Sequence, residues 1–302
     1  MSDWRSLYPF ESHFYSVPDG SGLPLRNLKL HFLDEGPTEA PVLLFVHGNP
    51  TWSFYWRNLV LGLRAKYRCI VVDNMGCGLS DKGAALNDYP FTLGRRAQDL
   101  SDLIKYLDLK QITFVLHDWG GVIGMGAAVK TPDRVKQFVC MNTSVFGRSR
   151  SRCPFPIALA RRPFLGKLMI QGLHAFCLAA SRWTTEKPLA PEVKAGLIAP
   201  YNNWANRRAV YQFVQDIPFN EKDRSWAALK EVETGLDLFK DYPFLFPWGL
   251  KDWCFGEDYL RIFEQKFPNH KTIEFPNVGH YITEEIPDEL VSALDTFMQT
   301  EK

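Results

Sequence analysis

Short runs of apolar and β-branched residues recur along the chain, separated by longer segments with apolar residues at helical spacing. The runs predict strands at residues 28–34, 42–46, 69–73, 112–117, 137–142, 244–248 and 272–275. Between residues 92 and 107, Leu93, Ala97, Leu100 and Ile104 recur every three to four positions, as on one face of a helix. Strands that alternate with helices predict a parallel sheet with crossover helices, and therefore an α/β fold.

The pattern changes between about residue 146 and residue 224, where the sequence is rich in arginine and aromatic residues and contains no convincing strand. Strand–helix alternation resumes at Pro243 and continues to Met298. A helical insertion into one α/β core explains both the change and the return. We therefore predict a core over residues 1–145 and 226–302, interrupted by a helical cap over residues 146–225. A core of about 220 residues with a cap of about 80 fits ordinary domain sizes.

The charge balance narrows the classes of partner. The 302 residues include 35 Lys and Arg against 34 Asp and Glu, for a net charge of +1. A nearly neutral chain argues against nucleic-acid binding and against membrane binding through a polybasic segment. The surplus is aromatic, with 9 Trp and 22 Phe. It indicates a thick core or an apolar pocket.

No membrane span or metal site is predicted. The first residues lack a basic segment followed by an apolar one, so no targeting signal is expected. The longest uncharged, mostly apolar stretch, residues 168–181, is shorter than the about 20 residues that span a bilayer. The six cysteines are scattered and form no C-x-x-C motif. This favours free thiols in a reducing cytoplasm.

The most informative segment is residues 113–121 (TFVLHDWGG), an apolar strand that runs into glycines and then into a helical pattern. Such a strand–turn–helix junction presents one side chain, here Asp118, at the carboxyl end of the sheet, as in a nucleophile elbow. The usual G-x-S-x-G motif is half met, because Gly120 is present but Leu116 and Asp118 replace the first glycine and the serine. The alternative interpretation is that Asp118 is an ordinary helix N-cap.

Two further polar residues follow later predicted strands. Asp252 follows the strand at 244–248, and His280 follows the strand at 272–275. Each alone is ordinary, a turn aspartate and a loop histidine. The chain order nucleophile, acid, histidine is that of α/β-hydrolases, so Asp118, Asp252 and His280 together predict a catalytic triad.

Residues 46–50 (VHGNP) end another predicted strand. We expect Gly48 to supply an unusual backbone angle, and the backbone N–H of Asn49 to form an oxyanion hole with that of Trp119. The alternative is a generic turn. The glycine-rich segment 73–81 lacks the third glycine of a dinucleotide-binding motif, so no cofactor is predicted.

These motifs together resemble a known family. Residues 47–52 (HGNPTW), 76–81 (GCGLSD), 117–121 (HDWGG) and 279–281 (GHY) look like the haloalkane dehalogenase family of α/β-hydrolases. In the cap, residues 199–204 (APYNNW) and 213–218 (FVQDIP) are similar to the third dehalogenase subfamily, which overlaps with the β-lactone decarboxylases of bacterial olefin biosynthesis. The resemblance covers nearly the whole chain. It implies a mostly parallel eight-stranded sheet, flanked by helices, with an inserted helical cap.

The resemblance also implies roles for the five residues. Asp118 matches the nucleophile that displaces halide and forms an alkyl ester, His280 the base that activates water, and Asp252 its acid partner. Some dehalogenases place the acid after the earlier strand, where this chain has the amide Asn142. Asn49 and the indole N–H of Trp119 match the two donors that hold the leaving halide.

The leading expectation is haloalkane dehalogenation, with a haloalkane and a halide ion as binding partners. The alternative is decarboxylation of a β-lactone to an alkene and CO₂ by the same residues. An epoxide hydrolase, with Tyr201 or Tyr211 protonating the epoxide, and a non-catalytic ligand receptor are less favoured. Oligomerisation through the cap or the N-terminal segment is left open. About a third of six cap aromatics are expected to contact ligand: Phe155, Phe164, Phe176, Trp183, Trp204 and Phe213.

Overall fold

The computed structural model describes residues 3–17, 28–147 and 153–300. The described strands form one eight-stranded sheet with the spatial order β1-β2-β4-β3-β5-β6-β7-β8. They are β1 His13–Val17, β2 Leu28–Glu35, β3 Val42–Val46, β4 Arg68–Val72, β5 Ile112–Asp118, β6 Val135–Thr143, β7 Phe244–Gly249 and β8 His270–Phe275. Strands β3 to β8 pair in parallel, whereas β1 and β2 pair antiparallel at one edge. The predicted mostly parallel sheet is confirmed.

Burial explains which strands the sequence pattern reveals. Every residue of β3 and β5 is buried, as expected for central parallel strands covered on both faces. Strand β1 was not predicted. It lies at the sheet edge, and only Val17 of its five residues is buried, so it carries no apolar run.

Helices cover both faces of the sheet and connect its parallel strands. The helix predicted over 92–107 is observed as α2. The core helices are α1 Arg57–Leu63, α2 Leu93–Tyr106, α3 Trp119–Lys130, α9 Trp226–Gly235, α10 Glu257–Lys266, α11 Ile282–Glu285 and α12 Pro287–Thr300.

The chain between β6 and β7 begins with a series of short helices. These are α4 Phe155–Ala160, α5 Pro163–Lys167, a π-helical turn at Leu168–Gly172, α6 Ala175–Trp183, α7 Pro191–Ile198 and α8 Arg208–Gln215. No described residue between β6 and β7 lies in a strand. The division into core and cap at residues 146 and 225 stays a prediction. Among the described helices none alone has the length and apolarity to cross a bilayer, although the bent pair Pro163–Gly172 and Ala175–Trp183 meets both criteria jointly.

Buried charges join the end of α8 to the core. Asp216 follows α8 and accepts hydrogen bonds from Arg96 of α2, from Arg224 and from Ser225. Arg96 and Asp216 are both fully enclosed. Ser225 in turn accepts from the backbone N–H of Leu93, the first residue of α2. The carboxylate therefore fixes the returning chain to a core helix.

Candidate active site

The turn between β5 and α3 places Asp118 at the carboxyl end of the sheet. Its backbone has φ 52° and ψ −128°, a conformation that residues other than glycine seldom adopt. Although Asp118 immediately precedes α3, its side chain forms no N-cap hydrogen bond with that helix. The capping interpretation therefore does not explain the carboxylate. The turn has the strained backbone of a nucleophile elbow.

Close contacts around this turn require glycine at two positions. A Cβ on Gly48 would lie 1.9 Å from Asp118 Oδ1, and a Cβ on Gly120 would lie 1.9 Å from the carbonyl oxygen of Val46. Gly48 does not have a positive φ, so a left-handed backbone conformation is not the reason for glycine at this position. Gly48 instead leaves the space that the carboxylate occupies.

The structure brings Asp118, Asp252 and His280 together in a buried cluster. His280 Nε2 lies 3.8 Å from Asp118 Oδ2, and His280 Nδ1 lies 2.7 Å from Asp252 Oδ2. Asp252 Oδ1 accepts the backbone N–H of Cys254 at 2.6 Å. With Nδ1–H donated to Asp252, the lone pair of His280 Nε2 faces Asp118. This is the geometry of a base held by one carboxylate beside another.

Burial and charge act in opposite directions on the pKa values of the cluster. Burial lowers the His280 pKa, but the charge and hydrogen bond of Asp252 together with the charge of Asp118 outweigh it, so the pKa is raised. Burial raises the pKa of Asp118, although His280 and the backbone N–H groups of Trp119 and Asn49 counteract part of that shift. An Asp118 carboxylate with little solvation is a stronger nucleophile than one in water.

Asn142 occupies the end of β6, where the acid partner lies in some related enzymes. Its side-chain amide donates from Nδ2 to the carbonyl of Gly249 and accepts the N–H of Gly249 at Oδ1, both at 2.9 Å. The amide therefore ties the end of β6 to the end of β7, three residues before Asp252. This leaves Asp252 as the carboxylate that His280 contacts.

Asn49 and Trp119 lie on the other side of Asp118. The backbone N–H of Asn49 donates to Asp118 Oδ1 at 2.6 Å, so this donor, predicted for an oxyanion hole, faces the Asp118 carboxylate. The Asn49 side chain donates one N–H to the carbonyl of Val210 at 3.2 Å, which leaves its second N–H. Both Asn49 and Trp119 line the cavity above Asp118. In the described part of the chain, no hydrogen bond engages the Trp119 indole N–H.

A cavity of about 410 Å³ opens above Asp118 and His280. This volume lies within the range of about 300–1,000 Å³ typical of small-molecule sites. Its walls are mainly apolar and come from both the core and the segment between β6 and β7, including Val122, Phe146, Ile157, Phe176, Trp183, Val214, Ile217, Leu229 and Phe255. Asp118 and His280 therefore face a space suited to an uncharged, apolar molecule.

The six predicted pocket aromatics divide by position. Phe176 and Trp183 line the cavity. Phe213 is buried behind Trp119, with ring centroids 5.4 Å apart. Phe155, Phe164 and Trp204 are exposed.

Neither cap tyrosine is available to protonate an epoxide. The Tyr201 hydroxyl donates to the carbonyl of Thr51 at 2.8 Å, and the Tyr211 hydroxyl donates to the carbonyl of Pro163 at 3.2 Å. Neither residue lines the cavity.

Two features of the site were not predicted. Arg96 is fully buried, with its guanidinium 3.7 Å from the centre of the Phe213 ring and 5.9 Å from that of Trp119. The sequence feature that could have indicated its burial is the position of Arg96 beside the apolar residues 93, 97 and 100 of α2. Trp253 and Phe255 line the cavity from the turn that carries Asp252, and no sequence pattern marked them.

Comparisons with known proteins agree with this arrangement. A sequence description of the α/β hydrolase fold matches residues 41–169. The cis-3-alkyl-4-alkyloxetan-2-one decarboxylase of Shewanella oneidensis is 40% identical, over 97% of this chain and 90% of that protein. Haloalkane dehalogenase 2 of Mycobacterium bovis is 30% identical, over 95% of each chain.

Solved structures show the same fold. The crystal structure of a haloalkane dehalogenase from Agrobacterium tumefaciens superposes with a TM-score of 0.83 at 24% identity, covering 98% of this chain and 99% of that one. A full-length relative at 40% identity and dehalogenases at 30% establish the relationship. This chain is an enzyme of the haloalkane dehalogenase family of α/β-hydrolases, the family that its motifs indicated.

Proposed function

We propose that Asp118 is a covalent nucleophile, with His280 as base and Asp252 as the residue that holds His280. The observation that carries this proposal is the series of contacts from Asp118 to His280 at 3.8 Å and from His280 to Asp252 at 2.7 Å, with Asp118 and His280 lining an apolar cavity. Asp118 Oδ1 is held by the Asn49 N–H, whereas Oδ2 faces His280. We assign the attack to Oδ2, so that Oδ1 becomes the carbonyl oxygen of the ester.

The donors around Asp118 fit both halves of such a reaction. When water attacks the ester, negative charge develops on Oδ1, where the backbone N–H of Asn49 stabilises it. The leaving group of the first step departs toward the Asn49 side chain and the Trp119 indole N–H, which line the cavity.

For the substrate we propose a β-lactone carrying two alkyl groups. Relatives named cis-3-alkyl-4-alkyloxetan-2-one decarboxylase match at 40% and 37% identity over 97% and 90% of this chain, against 30% for the dehalogenases. A mainly apolar cavity of about 410 Å³ has room for two alkyl tails.

The same nucleophile accounts for this reaction. Asp118 Oδ2 attacks the sp³ ring carbon that is bonded to the ring oxygen. The bond between that carbon and the ring oxygen breaks, an alkyl ester of Asp118 forms, and the lactone carbonyl becomes a free carboxylate. Cleavage of the bond to this carboxylate releases CO₂, its electron pair forms the C=C bond, and the ester C–O bond breaks to restore the Asp118 carboxylate. Atoms and electrons balance without water. Attack at the carbonyl carbon would instead leave the ring oxygen on the sp³ carbon as an alkoxide. Alkene formation would then require that oxygen to leave, and it is a poor leaving group.

Haloalkane dehalogenation is the second candidate, because Trp119 and Asn49, whose side chains both carry N–H donors, line the cavity beside Asp118, where a halide would leave. Here the alkyl ester persists until His280 activates water. The two reactions therefore differ in their need for the base.

The test compares both substrates in the wild type and in His280→Gln. A bromoalkane given to His280→Gln should leave an alkyl adduct on Asp118, visible by mass spectrometry, with steady-state turnover reduced by about 10²–10⁴-fold. A cis-3,4-dialkyl β-lactone should still yield alkene and CO₂ in the variant.

Two controls make the comparison specific. Asp118→Asn should abolish both reactions, and His270→Gln, on a half-buried histidine at the start of β8, should change neither. Absence of alkene from the wild type with a β-lactone would refute the decarboxylase proposal. Absence of any adduct from a bromoalkane would refute Asp118 as the nucleophile.

We also propose a reducing cytoplasm as the location, because Cys69, Cys77, Cys140 and Cys177 are buried free thiols. A homo-oligomer remains a proposal as well. It is tested by sedimentation velocity.

A further inference from the structure

The segment from residue 146 to residue 185 has an unusual charge composition. It contains seven Lys and Arg and no Asp or Glu, in a chain whose net charge is only +1. The rest of the chain is therefore net negative. Positive charge is concentrated in the first half of the predicted cap.

The same segment exposes large apolar side chains. Phe164 is 93% exposed, Phe155 77%, Trp183 69% and Leu173 64%. Isolated exposed apolar residues are common, but a run of them along consecutive helices marks an interaction surface. We define the cap face as the exposed side chains Phe155, Arg162, Phe164, Leu165, Lys167, Leu168, Leu173, Leu178, Arg182 and Trp183.

Exposed cations and apolar side chains alternate along the sequence of this segment. In α6, Cys177 and Ser181 are buried, whereas Leu178 and Arg182, one position further along, are exposed together. Among the described residues, Arg162, Lys167 and Arg182 form no ion pair. The three charges are therefore free to meet negative charge outside the protein.

Tryptophans lie beside the cations. The Lys167 ammonium is 5.8 Å from the centre of the half-exposed Trp204 ring. Trp253 donates its indole N–H to the carbonyl of Trp183; Trp183 is largely exposed and Trp253 is half-exposed. Tryptophan and lysine are the residues that favour the boundary between lipid headgroups and acyl chains.

The cap face also reaches the opening of the cavity. Pro156, Trp183 and Trp253 are exposed and at the same time line the cavity. An apolar molecule in the acyl region of a membrane would therefore reach the cavity without crossing water, if the cap face lay on that membrane.

We propose that the cap face docks on the surface of a bilayer that contains anionic lipid. The cations bind lipid headgroups, and the exposed aromatic and leucine side chains enter the boundary of the acyl region. Nucleic acid or an acidic protein would meet the cations but leave the apolar side chains unexplained. Docking itself does not depend on the proposed function. Delivery of an apolar substrate to Asp118 does.

The test is flotation of the full-length protein with vesicles. Vesicles of phosphatidylcholine and phosphatidylglycerol, mixed roughly two to one, should carry the protein, whereas phosphatidylcholine alone should bind at least about tenfold more weakly. Lys167→Gln and Arg182→Gln should each weaken binding by about fivefold. The matched control is Lys105→Gln, an exposed lysine of α2 outside the cap face, which should bind as the wild type does.

The apolar contribution is tested separately. The triple variant Phe155→Ser, Phe164→Ser, Leu173→Ser should lose binding by at least about 30-fold, whereas Tyr106→Ser, on an exposed aromatic of α2, should not. None of the three side chains lines the cavity, so adduct formation with a short bromoalkane should stay at the wild-type rate. That rate also reports that the variant is folded.

The outcomes separate docking from catalysis. A protein that floats with neither kind of vesicle overturns the proposal. So does a wild-type oligomer that the triple variant converts to monomers without any vesicle binding, because the face is then a contact between copies. Vesicle binding without an Asp118 adduct supports docking and refutes the proposed nucleophile.

Discussion

Asp252→Asn tests whether Asp252 acts through His280. In the structure His280 Nδ1 donates to Asp252 Oδ2 at 2.7 Å, inside the protein. Loss of a charge-assisted hydrogen bond costs about 1.5–3 kcal/mol, which is about 10–150-fold in rate. The asparagine amide can also donate to Nδ1 and so favour the tautomer with a proton on Nε2, which is no longer a base. We therefore expect hydrolysis of the alkyl ester to slow by about 10³-fold.

The assay separates the two halves of the reaction with a bromoalkane. Halide release in the first turnover should stay within about tenfold of the wild type, because Asp118 attacks without a base. Steady-state release should show the full loss. Decarboxylation of a β-lactone needs no water, so its rate should change as little as the rate of halide release in the first turnover.

The pH dependence supplies an independent readout. Only neutral His280 is a base, so ester hydrolysis in the wild type rises as pH increases through the His280 pKa, which Asp252 and Asp118 raise against the effect of burial. Without the Asp252 charge that pKa falls, and the inflection should move to lower pH. Equal losses in the first turnover and in the steady state, with an unmoved inflection, would refute this role for Asp252.

Three other substitutions test the structure around the site. Gly48→Ala places a Cβ where Asp118 Oδ1 lies, so adduct formation measured by mass spectrometry should fall by at least about 10²-fold, and a wild-type rate would contradict the close approach. Burial raises the pKa of Asp99 to about 6, above its unfolded value, so ionisation of Asp99 destabilises the fold as pH rises from about 4 to 6. The free energy of unfolding of Asp99→Asn, measured in urea, should therefore rise by up to about 3 kcal/mol relative to that of the wild type between pH 4 and 7. A difference that does not change with pH would contradict this prediction. Arg96→Met leaves Asp216 without its buried partner. This substitution should lower the free energy of unfolding, measured in urea at pH 7, by about 3 kcal/mol.

The sequence predicted the central sheet because burial on both faces leaves an uninterrupted apolar run. Strands such as Val42–Val46 are visible for that reason, whereas the edge strand His13–Val17, with four of its five residues not fully buried, is not. Each of the five residues predicted for the site ends or follows a strand, at the edge of the sheet where side chains from distant segments meet. Their catalytic roles stay a proposal.

What was missed depends on contacts between distant segments. The role of Gly48 is set by the position of a side chain 70 residues later, which no local pattern contains. The cavity contacts of Trp253 and Phe255 arise because the turn after β7 faces the segment between β6 and β7. Aromatic residues alone did not separate Phe176, which lines the cavity, from Phe164, which is exposed.

The hydrogen bonds of Asp216 have a consequence for substrate range. These bonds hold the end of α8 against α2. They therefore also fix Phe213, which packs behind Trp119, where the bond-breaking chemistry is proposed. A second part of the cavity wall comes from the short helices α4 and α6, through Ile157 and Phe176. Changes in this second wall would alter which alkyl chain lengths are accepted while the reacting atoms keep their places. The fold thus separates the part that selects a substrate from the part that transforms it, so each is free to vary without the other.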